Sequence, residues 1–276
     1  MRRLASLAIH ALLFVLALVT LTPFVWLVCA TFKTAPDFFA HAFLPWDGLD
    51  RLTLDNYRRL FAGEPFGLWM VNSIVLASAY TASVVTLSSL GGFALAKYRF
   101  AGRKVLMLVM LATLLVPGQV LLMPNYELMY ALGWLDSYAA ILIPGAVSVF
   151  GMFLFRQAML GVPDELLQAA RIDGCSELRV WWEIALPMVR PMVGAFTLLS
   201  FMGAWNSFLW PQVVLQDPAK YTLPIGLSNM IGLPEYQTNY GILMAGTLLS
   251  ILPVAVLFFA LQREFVAGLA SGAVKG

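Results

Sequence analysis

The chain is built from long charge-free stretches separated by short polar segments. Six stretches reach the roughly 17 to 25 residues that a helix needs to cross a bilayer: 4–32, 65–96, 105–126, 137–155, 191–216 and 236–262. Every Lys, Arg, Asp and Glu lies between or beyond them, as the high cost of an intramembrane charge requires. The pattern predicts an all-α polytopic membrane protein with six transmembrane helices at about 8–31, 67–95, 105–124, 138–155, 192–214 and 238–260. No internal repeat or low-complexity linker interrupts it, so 1–276 reads as a single transmembrane domain.

Six crossings place both termini on one side, and the basic residues choose which. With the N terminus in the cytoplasm, Arg2, Arg3, Lys97, Arg99, Arg103, Lys104, Arg156, Arg171, Arg179, Arg190, Arg263 and Lys275 fall inside. Only Lys33, Arg51, Arg58, Arg59 and Lys220 fall outside. This is the positive-inside asymmetry, and it makes the loop 156–190 cytoplasmic. Met1, Arg2 and Arg3 before an apolar run resemble the start of a secretory signal, but 29 charge-free residues exceed a signal core of about 7 to 15. The expectation is a retained first helix.

Composition agrees: of 276 residues, 61% are apolar and 12% charged, whereas soluble domains carry about a quarter charged residues. A net charge of +2, with no basic cluster among exposed aromatics, argues against a nucleic-acid surface. Cys29 and Cys175 fall near opposite membrane faces in this topology, which excludes a disulfide between them, and neither has metal-ligand neighbours. His10 stands near the start of the first span, where an interfacial position accounts for it.

The cytoplasmic loop carries the clearest local signals. Pro163 suits the first position of a helix, Asp164 and Glu165 suit its positive end, and Gly174 suits the left-handed residue that closes it. Three turns are too few for an isolated helix, so the segment must dock. Ala169 and Ala170 permit close backbone approach, with Leu166 one turn before Ala170 on the same face. Ser176 can cap a second helix ending near Leu186 and Pro187. By these residues alone, a surface helix lying on lipid or on its own bundle is equally consistent.

Gln168, Ala169 and Ala170, then Asp173 and Gly174, then Ile184, Ala185, Leu186 and Pro187 resemble the cytoplasmic signature of ABC importer permeases. There a Glu-Ala-Ala triplet precedes Gly and an Ile-x-Leu-Pro element. Gln168 departs from the usual Glu, replacing a charged contact by a weaker neutral one. The likeness extends along the chain through Asp55-Asn56-Tyr57, Trp69 with Asn72-Ser73, Phe155-Arg156-Gln157, Ala204-Trp205-Asn206, Leu209-Trp210-Pro211 and the terminal Gly272-Ala273-Val274-Lys275-Gly276. It is similar to the carbohydrate branch, in particular the smaller permease of the maltose-type pair.

The resemblance implies a type I ABC importer permease fold in a bacterial inner membrane and no enzymatic activity in this chain. Its partners would be a second homologous permease, two ATP-binding-cassette subunits taken as a homodimer, an extracytoplasmic solute-binding protein and membrane lipid. ATP and Mg would bind the ATPase subunits, and this chain would bind no cofactor or metal. The coupling segment would comprise Leu166, Gln168, Ala169, Ala170, Asp173, Gly174, Ile184, Leu186 and Pro187. Val274, Lys275 and Gly276 would lie near the ATPases, and 217–235 would reach toward the binding protein.

Sugars present hydroxyls and apolar ring faces, so uncharged polar and aromatic residues are pathway candidates: Trp205, Asn206, Ser207, Trp210, Asn72, Ser73 and Gln119. Helix pairing and interfacial placement account for the same residue types. A permease for glycerol phosphate or another polyol is the near alternative, although an anion would favour Arg or Lys in the spans. A self-sufficient secondary transporter lacks the usual intramembrane Asp, Glu or Lys relay, and the sequence contains no phosphate-binding Gly-rich loop with Lys. An intramembrane hydrolase would need a nucleophile and base that His10 and His41 do not supply.

Overall fold

A computed structural model describes residues 2–46, 48–231 and 240–273. Among these the regular structure is helical, with no strand. The chain runs through α1 (Arg2–Thr31), α2 (Ala35–Ala40), α3 (Asp55–Gly63) and α4 (Phe66–Lys97). It continues through α5 (Arg103–Thr113), α6 (Leu122–Ala131), α7 (Ala139–Leu142), α8 (Val149–Met159) and α9 (Asp164–Ile172). It closes with α10 (Glu177–Met188), α11 (Arg190–Trp205), α12 (Leu209–Val214), α13 (Leu223–Asn229) and α14 (Tyr240–Ala273).

Among the described residues, Ile9–Thr31, Phe66–Lys97 and Tyr240–Gly268 are each long and apolar enough to cross a membrane. Two bent helix pairs qualify if each is one span: α5 with Gly118–Ala131, bent by 89°, and α10 with α11, bent by 88°. The fourth charge-free stretch contributes the 11-residue α8, about 16 Å long against a hydrocarbon core of about 30 Å. Charge-free length therefore located the apolar segments but not their interruptions, and proline explains where these fall. Pro117 adopts an extended conformation and biases the residue before it away from the helix. Pro191 cannot donate to the carbonyl four residues back, and the bend sits at Val189.

The residues divide into two compact units, 1–70 with 225–252 and 71–224 with 253–276. In the first, the apolar window of α1 buries nothing against the rest of the chain. The hydroxyls of Thr20 and Thr22 donate to carbonyls of their own helix at 2.8 Å, as a lipid-facing hydroxyl must. The chain leaving α1 has a dedicated partner: Asn56 Nδ2 donates to Thr31 O, at the helix end, and to Lys33 O, just beyond it, each at 2.8 Å. Gly241 permits this, because a Cβ there would stand 2.6 Å from the Asn56 amide. Lys33 is buried, donates to His41 O at 2.5 Å and Ala42 O at 3.3 Å, and has its pKa lowered by desolvation.

In the second unit, small residues let helices approach closely, as membrane helices do in place of hydrophobic collapse. A Cβ on Gly92 would meet Phe155 Cβ at 2.5 Å and the Arg156 backbone N at 2.8 Å, so α4 and α8 touch there. Gly151 of α8 lies under the Phe196 ring, and Phe155 packs edge-on to Phe196 at 5.5 Å. Ser148 caps α8 by accepting from Gly151 N at 3.0 Å, and Ser88 bonds the Ser148 backbone at 3.2 Å. At Gly194, α11 meets α14 against Glu264, which also pairs with Arg190 at 3.2 Å.

Candidate functional site

The helix α9 begins after Pro163, carries Asp164 and Glu165 in its first turn, and ends at the C-cap Asp173. Gly174 follows at φ 84°, the left-handed conformation that L side chains rarely adopt. The Cys175 N–H returns to Ala170 O at 3.0 Å and the Gly174 N–H to Arg171 O at 3.1 Å, closing the helix end. Ser176 then accepts from Arg179 N at 3.4 Å and starts α10, whose middle, Val180–Ala185, is a π-helical turn. The extra residue in that turn lets Val180, Trp181 and Ala185 all face inward.

Burial sorts α9 into two faces. Leu167 and Ala170 join Phe93, Met159, Val162, Val180, Trp181, Ala185 and Val189 in one core cluster, with Ile184 and Leu186 packed at its edge. Leu166, Gln168 and Ala169 point away, with Leu166 48% exposed. Pro187 is exposed, and so are Ile172, Leu178 and Trp182, so the outer face is an apolar surface framed by charge. Leu166 and Ala170, on one face by sequence spacing, are thus divided: one turn of helix separates them, but the core takes Leu167 and Ala170.

Two charged clamps fix α9 to the bundle. Lys97 Nζ, nearly buried, donates to Val162 O at 2.5 Å and to Asp164 Oδ1 at 2.7 Å, which lowers the Asp164 pKa. Arg171 bonds both carboxylate oxygens of Glu177, at 2.8 and 3.1 Å, and lies 5.9 Å from the Tyr98 ring centre. Tyr98 also donates its hydroxyl hydrogen to Glu177. Arg171 first, then Tyr98, holds the Glu177 carboxyl below its ordinary pKa. Neither clamp emerged from the sequence, although Lys97 and Tyr98 at the end of a span offered a signal.

The candidate pathway residues scatter. Ser73, Ser207 and Trp210 line one cavity of ≈280 Å³. Asn72 donates its amide to Ala219 O at 2.9 Å and Tyr221 O at 3.0 Å. Trp205 is buried and stacked on Phe201 at 5.8 Å, Asn206 is exposed and bonds Met202 O at 2.8 Å, and Gln119 is exposed. A larger cavity of ≈810 Å³ is lined along α4 by Ser78, Thr81, Thr86 and Ser89, with Trp181, Trp182 and Pro187 of α10 opposite. Val274, Lys275 and Gly276 lie outside the described residues, as does the end of 217–235.

The described residues thus combine long apolar helices, a cavity striped with hydroxyls and a firmly clamped short helix. Residues 88–270 match the family of binding-protein-dependent transport system inner membrane components, and the chain belongs to that family. It is therefore an ABC importer permease and not an enzyme. It is 37% identical over 262 residues to the arabinooligosaccharides transport system permease protein of Halalkalibacterium halodurans, covering 95% of this chain and 93% of that one. The lactose transport system permease protein of Rhizobium radiobacter is 34% identical, with 99% and 98% covered. The sn-glycerol-3-phosphate transport system permease protein of Yersinia pestis bv. Antiqua is 37% identical, with 74% and 73% covered. The fold matches a chain from the crystal structure of a bacterial ABC transporter involved in the import of the acidic polysaccharide alginate, with TM-score 0.83, 24% identity and 95% and 97% of the two chains covered.

Proposed function

We propose that this chain is the sugar-conducting permease of an ATP-driven importer, paired with a second permease, two ATPase subunits that bind ATP and Mg, and an external binding protein. The observation that carries the reading is the divided α9, locked to the bundle on one side and presenting Leu166, Gln168, Ala169 and Ile172 on the other. A short helix clamped by Lys97 and Glu177 transmits force as a rigid body, and its apolar outer face suits a cleft on the ATPase. Gln168 and Asp173 supply polar contacts at the rim, and Gly174 sets the direction of the following chain. The six crossings, with both termini in the cytoplasm, follow the positive-inside charges.

A sugar cargo is supported by the arabinooligosaccharide and lactose permeases among the relatives and by their fuller coverage of the chain. The polar side chains lining the larger cavity are mostly hydroxyls, and its cation, Arg190, is paired with Glu264. That arrangement suits neutral sugars better than a phosphate ester. The test is purification of the chain from its own operon context with separate tags on chain and ATPase, followed by reconstitution with the binding protein. Recovery of the complex and ATP-dependent uptake of labelled lactose or arabinooligosaccharide are expected. Recovery of the chain without ATPase, or uptake in vesicles lacking ATP, overturns the reading.

A further inference from the structure

The smaller cavity, ≈280 Å³, has the chemistry of a ligand site that the coupling mechanism does not use. Tyr80, Asn125, Ser207, Trp210 and Thr222 are among its lining residues. Thr222 is only 6% exposed, and its Oγ1 finds no hydrogen-bond partner. A buried hydroxyl without a partner calls for an explanation, since a Val of the same shape would pack there without one. Beside it, Ser73 accepts from Leu223 N at 2.7 Å, fixing the chain that carries Thr222. Trp210 Nε1 donates to Ala140 O at 2.9 Å, which sets the indole in place as a wall.

The wall therefore combines an immobilised aromatic ring, hydroxyls, a carboxamide and no charged side chain. An acyl chain would leave Thr222 unsatisfied, and an anion would find no cation. A neutral polyhydroxylated ring meets both requirements, stacking an apolar face on the indole and bonding through its hydroxyls. At ~30 Å³ per water the cavity holds on the order of nine waters, room for one sugar ring and not for a chain of them. Gly203 lines the cavity, and a Cβ built there meets no atom within 4 Å, so a longer side chain has open space to fill.

We propose that this cavity is a subsite, within this subunit, for a single neutral sugar ring of the cargo, with Thr222 and Trp210 as its principal contacts. The proposal rests on the sugar-permease reading and deepens it. The first arm is titration of the purified full chain in lipid nanodiscs with L-arabinose, D-galactose and D-glucose, followed by tryptophan fluorescence, with Trp210→Phe to locate the signal. At least one sugar should give a saturable change that weakens fivefold or more in Thr222→Val, persists in Thr222→Ser and disappears in Gly203→Leu. Absence of any such change, response to glycerol 3-phosphate alone, or equal affinity in wild type and Thr222→Val overturns it.

The second arm separates this proposal from the reading beneath it. In the reconstituted importer, Thr222→Val should raise KM for lactose or arabinooligosaccharide uptake fivefold, and Thr222→Ser should restore the wild-type KM. Uptake with unaltered KM in Thr222→Val and Gly203→Leu removes the subsite and leaves the permease intact. A wild-type importer that carries glycerol 3-phosphate and neither sugar removes the reading and the subsite together.

Discussion

Two connections in the second compact unit are held by the same kind of bond yet do different things. The turn around Asp136 is closed upon itself: Asp136 Oδ1 accepts from Gln216 N and Asp217 N, each at 3.0 Å, and Oδ2 from Lys220 at 2.6 Å. Lys220 returns to Asp136 O at 2.8 Å, and the Asp136 backbone sits at φ 55°. The α9 segment is anchored as firmly, by Lys97 and by Arg171 with Glu177, but keeps an exposed apolar face. The first is a clip whose polar groups meet one another. The second is anchored on one face and leaves the other exposed. Charge-assisted bonds immobilise both, and the surface left over distinguishes them.

The comparison breaks most decisively at that surface. Leu166→Asp or Ala169→Trp should cut ATP-driven uptake by more than tenfold while membrane level and basal fold are retained, measured as uptake against immunodetected protein. Wild-type uptake in both would mean that the outer face engages nothing. Gln168→Glu, which adds only a charge on that exposed face, should stay within about twofold of wild type.

The anchors come next in size. Lys97→Met removes a nearly buried ammonium from the Val162 carbonyl, a bond to a charged group worth about 1.5–3 kcal/mol, and should lower the unfolding midpoint in detergent. Gly174→Pro forces φ from +84° to about −65° and should disorder the α9 end, read as protease cleavage near residue 174. If either variant melts and cleaves like wild type, α9 is not held in this way.

The smallest effect belongs to the clip. Lys220, with the Asp217 and Gln216 amides, holds the Asp136 pKa down at about 2, against about 3.9 in an unfolded chain. A depressed carboxylate contributes stability that is fully present above the unfolded value and disappears as pH falls through the folded one. Asp136→Asn should therefore be less stable than wild type at pH 6, with the gap closing between about pH 4 and about pH 2. A gap that is flat across this range would place the clip's stability elsewhere.

Much of this was legible in the residues. The caps of α9 and α10 depend on contacts within a few positions, so Gly174 and Ser176 announced them and stand as read, whereas Pro163, expected as the first helical residue, is the N-cap that precedes Asp164. The interruptions were less legible, because a charge-free run says that a segment tolerates lipid and not that its axis is straight. Pro117 and Pro191 were present as signals, but proline within a membrane segment is compatible with both a kink and a break. Of the polar pathway candidates, Asn72 and Asn206 have their amide hydrogens bonded to backbone, and no spacing rule reports that.

The amino-acid order alone determined the apolar stretches, their helical character and the local signals that bound α9. These follow from transfer energies and bonds between near neighbours, which are written locally. Only the tertiary structure decided which side of α9 is buried, which distant cation clamps it, and that Thr222 faces a cavity without a partner. Those outcomes depend on residues 60 to 150 positions apart in the chain brought together by packing, as Lys97 with Asp164 and Ser73 with Leu223 are. A hydroxyl or an alanine looks the same in sequence whether its neighbour is a core, a cavity or an open surface.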